Sequence, residues 1–328
     1  MMSFSFVRGD ALHDPLHVVT AIINPQRWRS RVKLYERFAL HMAESGANLY
    51  TVEVAYGDRD FAVTTADNPN HLQIRTRQEL WHKENALNLL VERLPSDWQY
   101  LAWVDADIRF GRADWVDETL HALQHNKIVQ LWEDAFDTYP NGTTYQSHKS
   151  FAWCYHNDIP ETTRRDSYGP GQKGWRYYHH PGFAWAIRRD TFRDMGRFLD
   201  WALLGSGDYH MATAWVGRDD YTMKTKLHPD YIRLLKLWRE RAARVVEGSI
   251  GWVPGTILHG WHGAKIKRGY RSRIDVLADY QFSPIADVCM DEHGLYQLAI
   301  THTRRGQRLR DNMARYFRDR DEDGCPPA

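Results

Sequence analysis

Cysteine is scarce in this sequence, and the few cysteines stand far apart. The 328 residues include Cys154, Cys289 and Cys325, with no CxxC spacing among them. Neither a cysteine-rich zinc site nor a paired redox centre is therefore expected. An odd number of scattered cysteines is typical of free thiols in a reducing compartment. We expect the fold to be held by its hydrophobic core rather than by disulfides.

Long apolar runs are also absent. The longest, "LHVVTAII" and "LNLLV", fall well short of the roughly 20 residues that a membrane-spanning helix needs. The first residues, "MMSFSFVRGDALHD", contain no apolar core of signal-peptide length. We therefore expect a cytoplasmic protein without a membrane-spanning segment, and the sequence makes no prediction of its oligomeric state.

No excess of charge of either sign directs the chain to a polyanion. The sequence has 43 basic and 42 acidic residues and a formal net charge of +1, so any binding of nucleic acid has to be local. Aromatic residues, in contrast, are abundant, with 14 tryptophans and 17 tyrosines. We expect some of them to line a surface that binds a flat or ring-shaped ligand.

Strand-like and helix-like segments alternate along the first 132 residues. The pattern predicts strands at 17–23, 49–56, 71–74, 100–104 and 127–132, and amphipathic helices after the first, third and fourth of them. This order predicts βαβ units, and thus an α/β protein with a mainly parallel, Rossmann-like sheet flanked by helices. In such sheets, ligands bind at the carboxyl ends of the strands.

The remainder of the chain is less regular. Residues 133–178 are polar and aromatic and predict a long irregular loop on the acceptor side, with glycines at 167–175 that would let it move as a lid. Helical patterns return at 231–246 and from 301 onward, before an acidic end that we expect to fray. We predict a main domain over 1–275 and a helical C-terminal extension over 276–328.

Two carboxylates end the predicted strand "YLAWV". Asp105 and Asp107 follow it directly, whereas the other Asp-x-Asp triplets, at 58–60, 319–321 and 321–323, are expected to be solvated surface charge. Mg²⁺ and Mn²⁺ prefer carboxylate oxygens and usually keep nucleotide phosphates as further ligands. The pair therefore predicts a divalent metal site that holds a diphosphate.

Six segments in order carry a resemblance to a known family. They are "VVTAIINPQRWRSRVKLYERFA", Glu53 in the second strand, "KENALN" with "VDAD", "HHPGFAWAIRR", "LGSGDYHMA" and "ILHGWHGAKIKRGYRSR". Over residues 15 to 275 the sequence resembles the GT-A glycosyltransferases, which combine a nucleotide-binding sheet with a metal-binding Asp-x-Asp. The second strand lacks the family's usual acidic-glycine-serine ending. The resemblance implies a GT-A fold and transfer of a sugar from a nucleoside-diphosphate sugar, most often a UDP-sugar.

The resemblance also implies roles for individual residues. A divalent metal, Mn²⁺ or Mg²⁺, would be bound by Asp105, Asp107 and a histidine, either His262 or His259. Donor-binding roles fall on Thr20, Ala21, Asn24, Arg27, Glu53, Lys83, Asn88, Asp105, Gly182 and Trp185, and diphosphate-binding roles on Lys265 and Arg268. Asp208 would be the general base of an inverting enzyme or would position the acceptor in a retaining one; as an aspartate after glycine, it also suits a helix N-cap.

Several alternatives stay open at this point. A haloacid-dehalogenase-type phosphatase is set aside, because its Asp-x-Asp normally ends the first strand. A sugar-nucleotide nucleotidyltransferase would need a glycine-rich loop after the first strand, where "AIINPQRWRSR" has no glycine. A non-catalytic nucleotide-sugar-binding protein is a third candidate. The acceptor is expected to be either a glycan or a hydroxymethylated base of DNA, the latter contacted through the arginines at 268–273 and 304–318.

Overall fold

A computed structural model describes residues 14–161, 176–269 and 272–326. Its strands are β1 (Leu16–Ile23), β2 (Asn48–Tyr56), β3 (His71–Thr76), β4 (Tyr100–Val104), β5 (Ile108–Phe110), β6 (Ile128–Gln130), β7 (Asp134–Thr138), β8 (Thr144–Ser150), β9 (His179–His180), β10 (Ala184–Arg188), β11 (Ile250–Trp252), β12 (Thr256–His259), β13 (Val288–Met290) and β14 (Tyr296–Leu298). Its α-helices are α1 (Arg29–Glu44), α2 (Lys83–Val91), α3 (Trp115–His125), α4 (Phe151–His156), α5 (Arg189–Met195), α6 (Gly207–Trp215), α7 (Pro229–Val246), α8 (Ser272–Asp279) and α9 (Arg304–Asp319).

The central sheet has seven strands in the order β11-β6-β10-β4-β1-β2-β3. Neighbouring strands run parallel except β10, which is antiparallel to both β4 and β6. Helices and a second sheet cover its two faces. The predicted fold class, an α/β protein with a mainly parallel sheet flanked by helices, is confirmed.

Local sequence patterns explain the first part of this sheet. Consecutive strand residues point to opposite faces, and Val18 and Val19 of β1 accordingly enter two different hydrophobic cores. Helix α1 buries Tyr35, Phe38 and Met42, the helical spacing that the sequence predicted. The chain then turns at Gly46, whose φ of +68° favours glycine.

A second sheet, of order β5-β12-β7-β8-β9, corrects the prediction for residues 133–178. Residues 134–150 form the antiparallel pair β7 and β8, and α4 follows. The sequence of β7 lacks the usual alternation of apolar and polar residues, because Asp137 occupies a fully buried position where an apolar residue is expected. The predicted glycine-rich lid at 167–175 lies outside the described residues.

The C-terminal segment is packed against the rest of the chain as far as Gly324. Helix α9 buries Leu309, Met313 and Phe317, and the chain beyond it stays against the domain. Glu322 is 3% exposed and lies between Arg31 and Arg320, so the expectation of solvated charge at 319–323 is wrong for Arg320 and Glu322. The triplet at 58–60 is exposed, as expected. No helix of the described residues has the length and apolarity to cross a bilayer.

Candidate functional site

A cavity of about 650 Å³ opens at the carboxyl ends of β1 and β4. The antiparallel strand β10 begins at the same edge, and the Asp105 N–H donates to the carbonyl of Phe183, 2.8 Å away. Phe183 has a φ of +78°, a strained conformation for a bulky residue. Just before it, a side chain on Gly182 would place its Cβ 3.2 Å from Asp208 Oδ2. Glycine at this position therefore gives Asp208 access to the cavity.

Asp107, His259 and His262 form a buried cluster at this edge. One ligand atom from each lies within 4.8 Å of the others, and His262 Nε2 is 3.0 Å from Asp107 Oδ2. His259 Nε2 is 3.0 Å from His262 Nε2 and 3.7 Å from Asp107 Oδ1. That Asp107 oxygen is buried and has no hydrogen-bond partner among the described residues. One carboxylate and two imidazoles with an unsatisfied oxygen fit a divalent cation.

The second sheet positions His259 for this cluster. In β12, His259 stands opposite Ile108 of β5 and Asp137 of β7. Its Nδ1 lies 2.6 Å from Asp137 Oδ1, and a neutral ring that donates from Nδ1 to this carboxylate would offer the lone pair of Nε2 to the cluster. Burial alone would raise the pKa of Asp137, but hydrogen bonds from His148 and His259 hold that pKa well below its usual range. Asp137 therefore stays ionised and fixes the orientation of the His259 imidazole ring.

Replacing Asp137 with Asn is expected to weaken Mn²⁺ binding by about 10- to 100-fold. The amide keeps the shape of the carboxyl group but offers His259 and Lys265 no negative charge. Titration calorimetry with Mn²⁺ measures the effect. Asp134→Asn, which changes a partly exposed residue of the same strand, serves as the control. Equal Mn²⁺ affinity in both variants would contradict the role given to Asp137.

The protonation states of Asp107 and His262 suit metal binding. Burial would lower the pKa of His259, but Asp107 and Asp137 raise it, so His259 has to lose a proton when a metal binds. Burial would raise the pKa of Asp107, but the neighbouring His259 and His262 hold that pKa well below its usual range. Burial, assisted by the charges of Arg268 and Arg31, lowers the pKa of His262 well below its ordinary value. Asp107 is thus an anion and His262 a neutral imidazole near pH 7, the forms in which both residues ligate metals.

Asp105 lies outside this three-residue cluster and pairs with Lys83 instead. Burial raises the pKa of Asp105, and the Lys83 ammonium opposes that increase. Both side chains line the cavity, as do the basic residues Lys265 and Arg268. Lys265 forms an ion pair with Asp137, and Arg268 Nη2 lies 3.1 Å from His262 Nδ1. The cavity wall near the cluster is therefore rich in basic side chains.

Asp208 and Glu84 are two carboxyl groups on another part of the cavity wall. Asp208 is in the first turn of α6 and accepts a hydrogen bond from the N–H of Tyr209, 2.9 Å away. Glu84 is 6% exposed and packs against the backbone of Gly207, where a Cβ would lie 2.8 Å from Glu84 Oε1. Burial raises the pKa of Glu84 to about 7, with Lys83 opposing the increase. Glu84 is not among the residues for which the sequence predicted a role.

Replacing Glu84 with Gln is expected to stabilise the protein at pH 8 but not at pH 5. Because its pKa is higher in the folded than in the unfolded chain, Glu84 favours folding when protonated. Wild-type stability therefore falls as the pH rises from about 4.5 through about 7. Above that range, the neutral amide of the variant avoids the cost of ionising a buried carboxyl group, which is up to about 3 kcal/mol.

Urea unfolding at the two pH values measures this difference. Glu92→Gln, at the exposed end of the same helix, is the control and should show no pH-dependent gain. If Glu84→Gln changed the free energy of unfolding equally at pH 5 and pH 8, ionisation of Glu84 would not be the cause of that change.

A second cavity, of about 420 Å³, lies between α1 and the end of β2 and shares Ile22 with the first. Asn24, Arg27 and Glu53, three predicted donor-binding residues, line it. The carboxylate of Glu53, however, accepts hydrogen bonds from the backbone N–H groups of residues 62–64 and from the Thr64 hydroxyl. Glu53 thus stabilises the loop at residues 62–64, and its contact with a nucleoside stays a prediction.

Of the other predicted residues, Ala21, Lys83, Asp105, Asp107, Gly182, Asp208, His259, His262, Lys265 and Arg268 line the first cavity. Three predicted residues, Thr20, Asn88 and Trp185, line neither large cavity, and their roles in donor binding stay predictions. The Thr20 hydroxyl donates to the Val104 carbonyl, and the Asn88 amide donates to Phe198 and Asp200. Trp185 is 2% exposed and packs edge-on against Trp215, so its face is not open to a sugar.

The similarities of this chain to known proteins are remote. No protein-family model and no curated protein matches the sequence. Similar solved structures include the S. aureus TarS fragment 1–349 with UDP-GlcNAc, 8% identical over 93% of this chain and 81% of that one, with a TM-score of 0.41. Mannosyl-3-phosphoglycerate synthase from Rubrobacter xylanophilus is 11% identical over 86% and 84%, with a TM-score of 0.37.

The catalytic domain of Drosophila β1,4-galactosyltransferase 7 with xylobiose is 9% identical, with a TM-score of 0.32. That alignment covers 61% of this chain and 60% of the galactosyltransferase chain, and an alignment with TarS alone covers 54% of TarS. This chain thus spans less than two thirds of those two proteins in these alignments. At such low identities and TM-scores, function has to be argued from the site.

Proposed function

We propose that this protein is a metal-dependent GT-A glycosyltransferase. It would move a sugar from a nucleoside-diphosphate sugar, most often a UDP-sugar in the family that it resembles, to an acceptor hydroxyl. The observation that carries the proposal is the cluster of Asp107, His259 and His262, which lines the same cavity as Asp208. A cation site and a carboxylate in one cavity suit transfer from a diphosphate to a hydroxyl.

Different residues would act on the donor and on the acceptor. A divalent cation held by Asp107, His259 and His262 would act as a Lewis acid on the departing diphosphate. Lys265 and Arg268 add positive charge on that side of the cavity, and Lys83 keeps Asp105 in place. Asp208 accepts the proton of the acceptor hydroxyl as the new glycosidic bond forms. If configuration is retained, Asp208 orients the acceptor instead.

Two kinds of acceptor are candidates, a glycan and a hydroxymethylated base of DNA. A glycan would enter the cavity beside Asp208, where Tyr178, Tyr209 and Tyr221 also line the wall. A hydroxymethylated base would require contacts with DNA phosphates from arginines such as those of α9. Binding to duplex DNA that weakens steeply with salt would favour the second acceptor. Absence of such binding would favour a glycan.

The donor test separates the proposed enzyme from its rivals. The protein is incubated with Mn²⁺ and a panel of nucleotide sugars, and release of nucleoside diphosphate is measured with and without a chelator. We expect slow, chelator-sensitive release from one donor. No release from any donor, together with no thermal stabilisation by any of them, would reject the proposal. Stabilisation without release would favour the non-catalytic binding protein.

A further inference from the structure

Residues 320–324, here called the C-terminal strap, join two parts of the cavity wall. Asp323 caps the start of α1, because its carboxylate accepts from the N–H groups of Arg29 and Ser30 at 2.9 and 2.8 Å. The Gly324 carbonyl accepts from Trp261 Nε1 at 2.9 Å, next to the metal-site residue His262. The strap is thus attached both to α1 and to the loop that carries His262.

Glu322 is the buried carboxylate of the strap. It is 3% exposed and accepts from Arg320 Nε at 2.6 Å. Its second partner is Arg31 of α1, which donates from Nε to Oε2 and from Nη2 to Oε1, the latter at 3.0 Å. Two parallel hydrogen bonds between a guanidinium and a carboxylate fix the plane of the guanidinium as well as its position. Glu322 therefore sets the direction in which the third nitrogen of Arg31 points.

That third nitrogen points at the metal cluster. Arg31 Nη1 lies 2.9 Å from Asp107 Oδ2, the oxygen that also approaches His262 Nε2. The Arg31 side chain is 23% exposed and lines the cavity. A cation bound to Asp107 would compete with Arg31 for this carboxylate and would repel the guanidinium. The Nη1 hydrogens would then need another acceptor at the same place, inside the cavity.

We propose that Arg31, aimed by Glu322, binds the anionic diphosphate of the donor when a cation occupies Asp107. The inference rests on the proposed function and adds a donor-binding residue and a positioning residue to it. Phosphate oxygens are the acceptors that a guanidinium prefers after carboxylates. The same guanidinium neutralises Asp107 before the cation binds and the diphosphate afterwards. The strap is therefore part of the donor site.

The test measures binding rather than turnover. UDP, GDP, CDP and ADP are titrated by calorimetry into wild type, Arg31→Lys and Glu322→Gln at saturating Mn²⁺, and Mn²⁺ is titrated alone. Lysine keeps the charge but cannot pair with Glu322 through two nitrogens, and glutamine keeps the shape of Glu322 without its charge. For the nucleotide that wild type binds, we expect each variant to raise the Kd at least about tenfold. The Kd for Mn²⁺ alone should not rise, because neither variant removes a residue of the metal cluster and Arg31 competes with the cation for Asp107.

Three results would overturn the inference. Unchanged nucleotide affinity in both variants would remove Arg31 from the diphosphate site. A parallel loss of Mn²⁺ affinity would show that Arg31 and Glu322 only shape the metal cluster. Failure of wild type to bind any of the four nucleotides with Mn²⁺ would reject the proposed function itself. Asp319→Asn, which removes an exposed charge at the end of α9, is the control, and melting curves confirm that each variant is folded.

Discussion

Replacing Asp107 with Asn is expected to lower Mn²⁺-dependent turnover by about 10³-fold or more. The physical reason is that Asp107 supplies the only carboxylate of the metal cluster found among the described residues. Lewis-acid stabilisation of a leaving group contributes several kcal/mol, and each 1.4 kcal/mol is a tenfold change in rate. The measurements are chelator-sensitive release of nucleoside diphosphate and the Kd for Mn²⁺, and both should change together.

The chain contains a matched control for this substitution. Asp58 belongs to another Asp-x-Asp triplet, but it is exposed and lines neither of the two large cavities. Asp58→Asn should therefore leave Mn²⁺ affinity and turnover unchanged. If Asp107→Asn kept the wild-type affinity for Mn²⁺ while remaining folded, the cation would have to bind elsewhere. The cluster of Asp107 with the two histidines would then be only a buried hydrogen-bonded group.

The sequence predicts those parts of the fold that depend on local pattern. Strand β1, helix α1 and the strand that ends before Asp105 are each specified by spacing within about 20 residues, and each forms as expected. Asp107, His259 and His262 come together, as the order of motifs implied, whereas Asp105 stays outside their cluster, and metal binding by these residues stays a prediction. The strand and helix predictions succeed because each of these elements is fixed by neighbours in the chain.

The predictions fail where a charged residue is buried by a distant partner. Asp137 looks like a loop residue until β12 brings His259 beside it, 122 positions later. Glu322 looks like a solvated tail residue until Arg31, 291 positions away, pairs with it. Glu84 stands beside Lys83 at the start of a helix, where an acidic residue is ordinary. In these cases burial depends on tertiary contacts, and the local pattern carries no signal of them.

Replacing Asp208 with Asn is expected to lower the rate of sugar transfer by about 10²- to 10⁴-fold, the range for removal of a general base. The amide keeps the size of the side chain but cannot take a proton from the acceptor. Mn²⁺ affinity should be unchanged, because Asp208 does not belong to the metal cluster. Transfer kinetics, with kcat and KM measured separately, check this expectation.

Asp208 is the second residue of α6 and not its N-cap, which is Ser206, but a carboxylate in the first turn also stabilises a helix. Asp190 is likewise the second residue of α5, and each aspartate accepts a hydrogen bond from the N–H of the next residue. Asp190 is exposed and lines neither large cavity. Loss of a carboxylate from the first turn of a helix costs about 0.3–1 kcal/mol of stability, so Asp190→Asn measures that cost alone. If Asp208→Asn lost only a similar amount of stability and kept its transfer rate, Asp208 would only stabilise its helix, and the proton would have to go to another carboxylate. Glu84, buried on the same wall, would then be the residue to replace next.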